Sequence, residues 1–212
     1  MATTTRQRLS REDMVVTAVR TREKLGAGEF SLRRVAAAVP CDPMSIVHHF
    51  GSKAGLEQAM ASWVEEQIEP PVDGDWRARL DALADAYRAV GLRHPETFPL
   101  LQAFTFTGVA DQALTEVVHC AFDEAGVDRD RMADVTTGWF SCVIGLVVGE
   151  VRGLIAPLDD HLVEQVTALD PERFPITRAL TEHYRTLVPA TTFRLTLDAL
   201  HTGITSAGRG PS

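Results

Sequence analysis

The residues best suited to touching another molecule are gathered in one stretch, Ser31 to Lys53, SLRRVAAAVPCDPMSIVHHFGSK. Within it Asp42 and Pro43 begin a short helix: the Asp42 carboxylate can accept from free first-turn amides, and Pro43 at the first helical position loses no N–H that the helix needs. Ile46 and Phe50, four residues apart, share its inward face. Pro43, Met44, Ser45, Val47, His48 and His49 are left pointing outward, with no acidic group beyond the cap. That surface is short enough to enter a DNA major groove about 12 Å wide. A metal site is the competing chemistry for the two histidines. Adjacent helical positions point about 100° apart and no third ligand follows at i+4, so the sequence implies no metal and no cofactor.

The elements that must hold this helix are legible around it. Ser31 caps a preceding short helix in which Leu32, Val35, Ala36 and Val39 form one apolar stripe, and the pair makes a helix-turn-helix. Upstream, Ser10 and Asp13 form a capping box for a bracing helix with Met14, Val15, Ala18, Val19 and Leu25 on its apolar face, ending near Gly26. Downstream, Ser52 caps a helix carrying Leu56, Met60, Trp63, Val64 and Ile68, which stops before Glu69-Pro70-Pro71.

From Leu9 to Trp63, and most of all in SLRRVAA and the ending His49-Phe50-Gly51-Ser52-Lys53, the chain resembles the tetracycline-repressor (TetR) family of bacterial transcriptional regulators. A fainter echo is Asp170-Pro171-Glu172-Arg173-Phe174-Pro175. The resemblance implies an all-helical fold: a three-helix DNA-binding unit followed by a larger helical domain for ligand binding and dimerisation. It implies that Arg33 reads guanine, that Ser31 and Lys53 hold phosphate, and that Pro43, Met44, Ser45, His48 and His49 form the recognition face, with Met44 suited to a thymine methyl. Two positions depart from the family pattern. Pro40 fixes φ near −65° where a glycine usually turns, and Val47 replaces a tyrosine that contacts phosphate. Leu101 stands where the tetracycline-binding members carry a metal-ligating histidine, so tetracycline is not the expected inducer.

Charge supports contact with DNA independently. Residues 1–60 carry nine Lys and Arg against six Asp and Glu, net +3, whereas residues 61–212 carry twelve against twenty-three, net −11. A dimer would present about +6 to phosphate beneath an acidic body. The 212 residues are 45% hydrophobic and 24% charged, which fits a soluble globular protein with a small domain and a larger one. Cys41, Cys120 and Cys142 are widely spaced, indicating neither a disulfide framework nor a thiolate metal site and fitting a reducing cytoplasm. The apolar run from Trp139 to Gly149 is too short to span a bilayer.

The expected organisation is a flexible basic arm at 1–9, a DNA-binding domain at 10–69, a helical domain at 75–206 and a disordered tail at 207–212. Helices are predicted at 75–93, 95–107, 110–126, 130–156, 160–169, 172–188 and 191–206, with Pro and Gly marking the breaks. Gly145, Gly149 and Gly153, four residues apart, predict a close helix–helix contact. With Phe193, Leu195, Leu197, Leu200 and Ile204 on the last helix, they predict a two-fold dimer interface. Phe98, Phe104, Phe106, Trp139 and Phe140 are candidates for lining an effector pocket, with His94 and His119 as polar anchors. No GxSxG, HExxH, P-loop or dinucleotide fingerprint is present, so no enzyme is expected. The expectation is a homodimeric regulator, most simply a repressor, that binds a palindromic double-stranded DNA operator and releases it on binding a small hydrophobic effector. The alternative is a helix-turn-helix regulator controlled by a protein partner or by abundance.

Overall fold

The computed structural model describes residues 10–39, 42–104 and 107–207. The expected arm at 1–9, Pro40, Cys41, Phe106 and residues 208–212 lie outside them.

Four local caps build the N-terminal unit. Helix α1, Arg11–Leu25, starts with a reciprocal box: Asp13 N–H donates to Ser10 Oγ at 3.0 Å and Ser10 N–H donates to Asp13 Oδ2 at 3.1 Å. The Ser10 hydroxyl also donates to Asp13 Oδ2 at 2.7 Å, and this bond together with that from the Ser10 N–H holds the Asp13 carboxyl below its usual range. Helix α2, Leu32–Ala38, is capped by Ser31, and α3, Pro43–Phe50, by Asp42, which accepts from Met44 N–H at 2.7 Å. Helix α4, Lys53–Glu65, is capped by Ser52. The turn into α4 is so tight that a Cβ at Gly55 would lie 2.0 Å from the Phe50 carbonyl oxygen. No side chain fits there. Val35, Ile46, Phe50, Leu56 and Met60 are buried together with Met14, Val15, Ala18 and Val19 of α1.

Helix α5, Trp76–Arg93, leads into a 3-10 turn, Phe98–Gln102. Then come α6, Val109–Glu124, and α7, Met132–Val151. Three short helices follow, α8 Asp160–Thr167, α9 Pro175–Ala179 and α10 Thr181–Arg185, and α11, Pro189–Ala207, closes the described chain. Helix α5 lies against both α6 and α7, α7 packs on α11, and α4 reaches both the 3-10 turn and α6. The fold is all-helical, as the sequence predicts. Its apolar core is continuous from Met14 to Ile204 rather than split near residue 70.

Three predicted helices differ in extent. The helix expected at 95–107 is only the 3-10 turn, because Pro95 ends α5 at His94 and Pro99 sits at the turn's own start. The helix expected at 130–156 stops at Val151, where Gly153 at φ +76° reverses the chain and the amides of Leu154 and Ile155 donate back to the Gly149 carbonyl. The helix expected at 172–188 is broken at Leu180 into α9 and α10, which, like α8, bury no side chain to hold a longer helix together. Helix α7 is long and apolar enough to cross a membrane by length and composition, more so than the short run read from the sequence. It buries Thr136, Trp139, Val143, Val147 and Gly149 against its neighbours.

Candidate nucleic-acid interface

Burying Ile46 and Phe50 decides what α3 shows to solvent. Met44 is 68% exposed, His48 and His49 are exposed, and Pro43, Ser45 and Val47 are half-buried. The imidazoles of His48 and His49 stand edge to face, their centres 5.8 Å apart.

The flanking cations are placed differently from one another. Arg33 and Arg34 are both exposed on α2; Arg34 lies 3.9 Å from Glu29, whereas no ion pair involves Arg33 among the described residues. Ser31 Oγ accepts from Arg34 N–H at 3.4 Å, so its lone pairs cap α2 and its hydroxyl hydrogen stays available for a phosphate oxygen. Lys53 is half-exposed at the first turn of α4, 3.5 Å from Glu57 and over the Phe30 ring. The result is an exposed surface of donors and acceptors without acidic groups beyond the Asp42 cap, edged by cations, the arrangement that contacts phosphate at its rim and base edges at its centre.

The interior is arranged differently from the predicted pocket. Trp139 and Phe98 are wholly buried, Tyr87 stands edge-on to Phe98 and Phe140, and Trp139 is edge-on to Phe140. Phe104 is half-buried against this core. His94 and His119 do not join the cluster. His94 bonds Gln67 at 3.2 Å and meets the Trp63 edge at 5.3 Å, and burial lowers its pKa. His119 is on the outer side of α6, 3.9 Å from Glu116, in a surface groove of about 310 Å3 with Cys120, Asp123 and Arg129. Helical spacing alone does not reveal which histidine faces inward.

Three polar residues the sequence reading missed are inside. His201 on α11 accepts a bond from the indole of Trp139, and burial lowers its pKa. Glu65 at the end of α4 accepts from the Thr107 hydroxyl, and desolvation raises its carboxyl to about 7. Burial and the nearby Glu65 carboxylate push the Tyr87 phenol well up. A buried Glu at a helix end and a His in an apolar stripe were visible as types, but only packing shows that they are enclosed.

The predicted dimer glycines are also redistributed. Gly153 lies beyond α7, and a Cβ on Gly149 would meet Ile155 of its own chain at 3.2 Å. Gly145 and Gly153 have open space beside them, as does Gly138, but of the first two only Gly145 lies on the helix. On α11, Leu197 and Ile204 are buried within the chain and Leu200 is half-buried, while Leu195 is 64% exposed.

Residues 70–207 match the family model described as the C-terminal domain of tetracyclin repressor-like proteins. The chain belongs to the TetR family. The HTH-type transcriptional repressor DrrR1 of Streptomyces coeruleorubidus is 34% identical over 147 residues, 68% of this chain and 53% of that protein. This TetR-family chain thus spans about half the length of that relative. Its fold is that of ActR from Streptomyces coelicolor, solved in complex with (S)-DNPA, at a TM-score of 0.83 and 19% identity over 95% of this chain and 100% of that one. ActR in complex with actinorhodin gives 0.82, at 19% identity over 96% and 100% of the two chains. BioQ of Mycobacterium smegmatis gives 0.73, at 21% identity over 95% and 100%.

Proposed function

We propose that this TetR-family protein is a dimeric transcriptional repressor that binds a palindromic operator and releases it when a small hydrophobic effector enters its helical body. The observation that carries the reading is the α3 surface: Met44, His48 and His49 exposed on a helix pinned from behind by Ile46 and Phe50, with Arg33, Ser31 and Lys53 at its edges. In this reading α3 enters the major groove, Arg33 bonds O6 and N7 of a guanine, and Ser31 and Lys53 hold phosphate. The repressor-named relative and the ligand complexes of ActR support repression and effector control.

The working dimer surface comprises the exposed Gly138, Ser141 and Cys142 and the half-buried Gly145 on α7, with the exposed Leu195, Ala199 and Gly203 on α11. Small side chains on both helices allow the close approach of a four-helix contact. The effector acts by wedging apart the closed ring cluster of Tyr87, Phe98, Trp139 and Phe140, since these rings fill the space a pocket would need. The test is recovery of bound duplexes from a random pool, followed by gel shifts and a screen of hydrophobic compounds for release. A two-fold symmetric consensus and release by compounds support the proposal. A consensus without symmetry, or release by none of the compounds while a protein partner displaces the DNA, points to the alternative mode of control.

A further inference from the structure

Two acidic side chains, Glu23 on α1 and Glu96 before the 3-10 turn, each grip the backbone of the other's segment. The Glu23 carboxylate accepts from the amides of Glu96 at 3.1 Å and Thr97 at 2.9 Å. The Glu96 carboxylate accepts from the Ala27 amide at 2.9 Å, just past the end of α1. Beside them the buried Arg22 donates from Nε to the Glu96 carbonyl at 2.7 Å and from Nη1 to Glu57 at 3.1 Å. Glu57 in turn pairs with Lys53 at 3.5 Å. From the other side, Arg152 at the end of α7 places Nη1 3.1 and 3.3 Å from the two Glu96 oxygens. A continuous polar chain therefore runs from α7, which carries the buried Trp139, to Lys53 at the edge of the recognition surface.

We infer that Arg152 and Glu96 are positioning residues for DNA binding: they latch the reading head to helix α7, so that displacement of α7 is delivered to Lys53 and α3. The inference rests on the DNA-reading role proposed above and specifies its regulation. The physical basis is the directionality of these bonds. Four backbone or guanidinium N–H groups converge on the Glu96 and Glu23 carboxylates with charge-assisted geometry, which resists sliding between α1 and the residue 94–102 segment far more than apolar contact would. With Arg152 removed, Glu96 keeps the Ala27 amide but loses its tie to α7. The head then samples orientations whose spacing does not suit the operator, and apparent affinity falls by the fraction of competent molecules.

The experiment uses the full-length protein and a duplex selected by it from a random pool. Arg152→Ala is expected to weaken binding about 3- to 30-fold, with the melting temperature within about 4 °C of wild type because the Arg152 side chain is exposed. Arg152→Lys should restore at least half of the loss, counted as the logarithm of affinity. Hydrogen exchange at the Ala27, Glu96 and Thr97 amides should quicken in the Ala variant. The double variant Glu96→Gln, Arg152→Ala should be no weaker than the worse single variant, as expected of two residues acting through one contact. Full additivity, or unchanged affinity in Arg152→Ala while Arg33→Ala and Lys53→Ala bind less well, overturns the latch and leaves the DNA-reading role standing. If Arg33→Ala and Lys53→Ala also bind as wild type does, the DNA-reading role itself fails.

Discussion

The indole N–H of Trp139 donates to Nε2 of His201 at 3.0 Å, with both side chains wholly enclosed. An acceptor at Nε2 assigns the imidazole hydrogen to Nδ1, which lies 3.5 Å from Asp81 Oδ1. Arg194 reaches the same Asp81 oxygen at 3.5 Å and forks onto Asp85. One histidine therefore ties α5, α7 and α11 together, and the tie holds only while its ring is neutral.

Replacing His201 by Leu removes the acceptor and leaves the Trp139 N–H buried without one. The expected loss is about 1 to 3 kcal/mol, read by urea unfolding followed through tryptophan fluorescence. A variant as stable as wild type would show that the indole finds another acceptor.

Burial lowers the His201 pKa below the ordinary imidazole value, so the unfolded chain takes up a proton before the folded one does. Stability from this site is present above about pH 6.5 and is lost as pH falls through that region. Glu65 works in the opposite sense. Its carboxyl is raised by desolvation to about 7, so its contribution is present below the usual carboxylate range and disappears as pH rises to about 7. Glu65→Gln should therefore stabilise the protein above pH 7, by about 1 to 2 kcal/mol, and flatten the stability profile between pH 5 and 7. Thermal melts across that interval are the measurement; an unchanged profile in the Gln variant would remove Glu65 as its source.

Arg33→Ala should weaken binding to the selected duplex by about 1 to 3 kcal/mol and relax the preference at one base pair. Lys53→Ala should weaken all duplexes alike and lower the salt slope by about one. Titrations at several salt concentrations on matched and mismatched duplexes separate the two. Equal loss on every duplex for both variants refutes the division of labour.

Gly138→Arg places a long charged side chain where the single chain has open space, and arginine favours a helix more than glycine does. The fold should survive while the dimer dissociates, visible as a halved mass in sedimentation and a loss of affinity for the palindromic duplex of at least about tenfold. An intact dimer would move the interface off this face of α7.

The N-terminal unit was legible because its signals are local. Ser10, Ser31, Asp42 and Ser52 each satisfy an amide no more than three residues away, and the apolar stripes repeat at helical spacing. In the structure Asp75 and Asp159 cap α5 and α8 in the same way, accepting from Ala78 N–H and Leu162 N–H, both at 2.8 Å. Local signals failed at residues 95–107 and 172–188, where apolar residues were present but prolines and missing neighbours outweighed helix propensity. They also misplaced His94, His119 and two of the three glycines. A helical wheel says which residues share a side, not which side another helix will cover.

The amino-acid order by itself determined an all-helical chain, the placement of α1 to α4, the outward residues of α3 and the division into a basic head and an acidic body. Each of these depends on bonds or periodicities spanning a few residues, or on charge summed along the chain. Tertiary structure decided that Trp139 meets His201, that Glu65 is enclosed, that Gly138 rather than Gly149 faces outward and that Glu96 joins Arg152 to α1. Those contacts bring together residues tens of positions apart, and their energies depend on burial and on partners that no local pattern encodes.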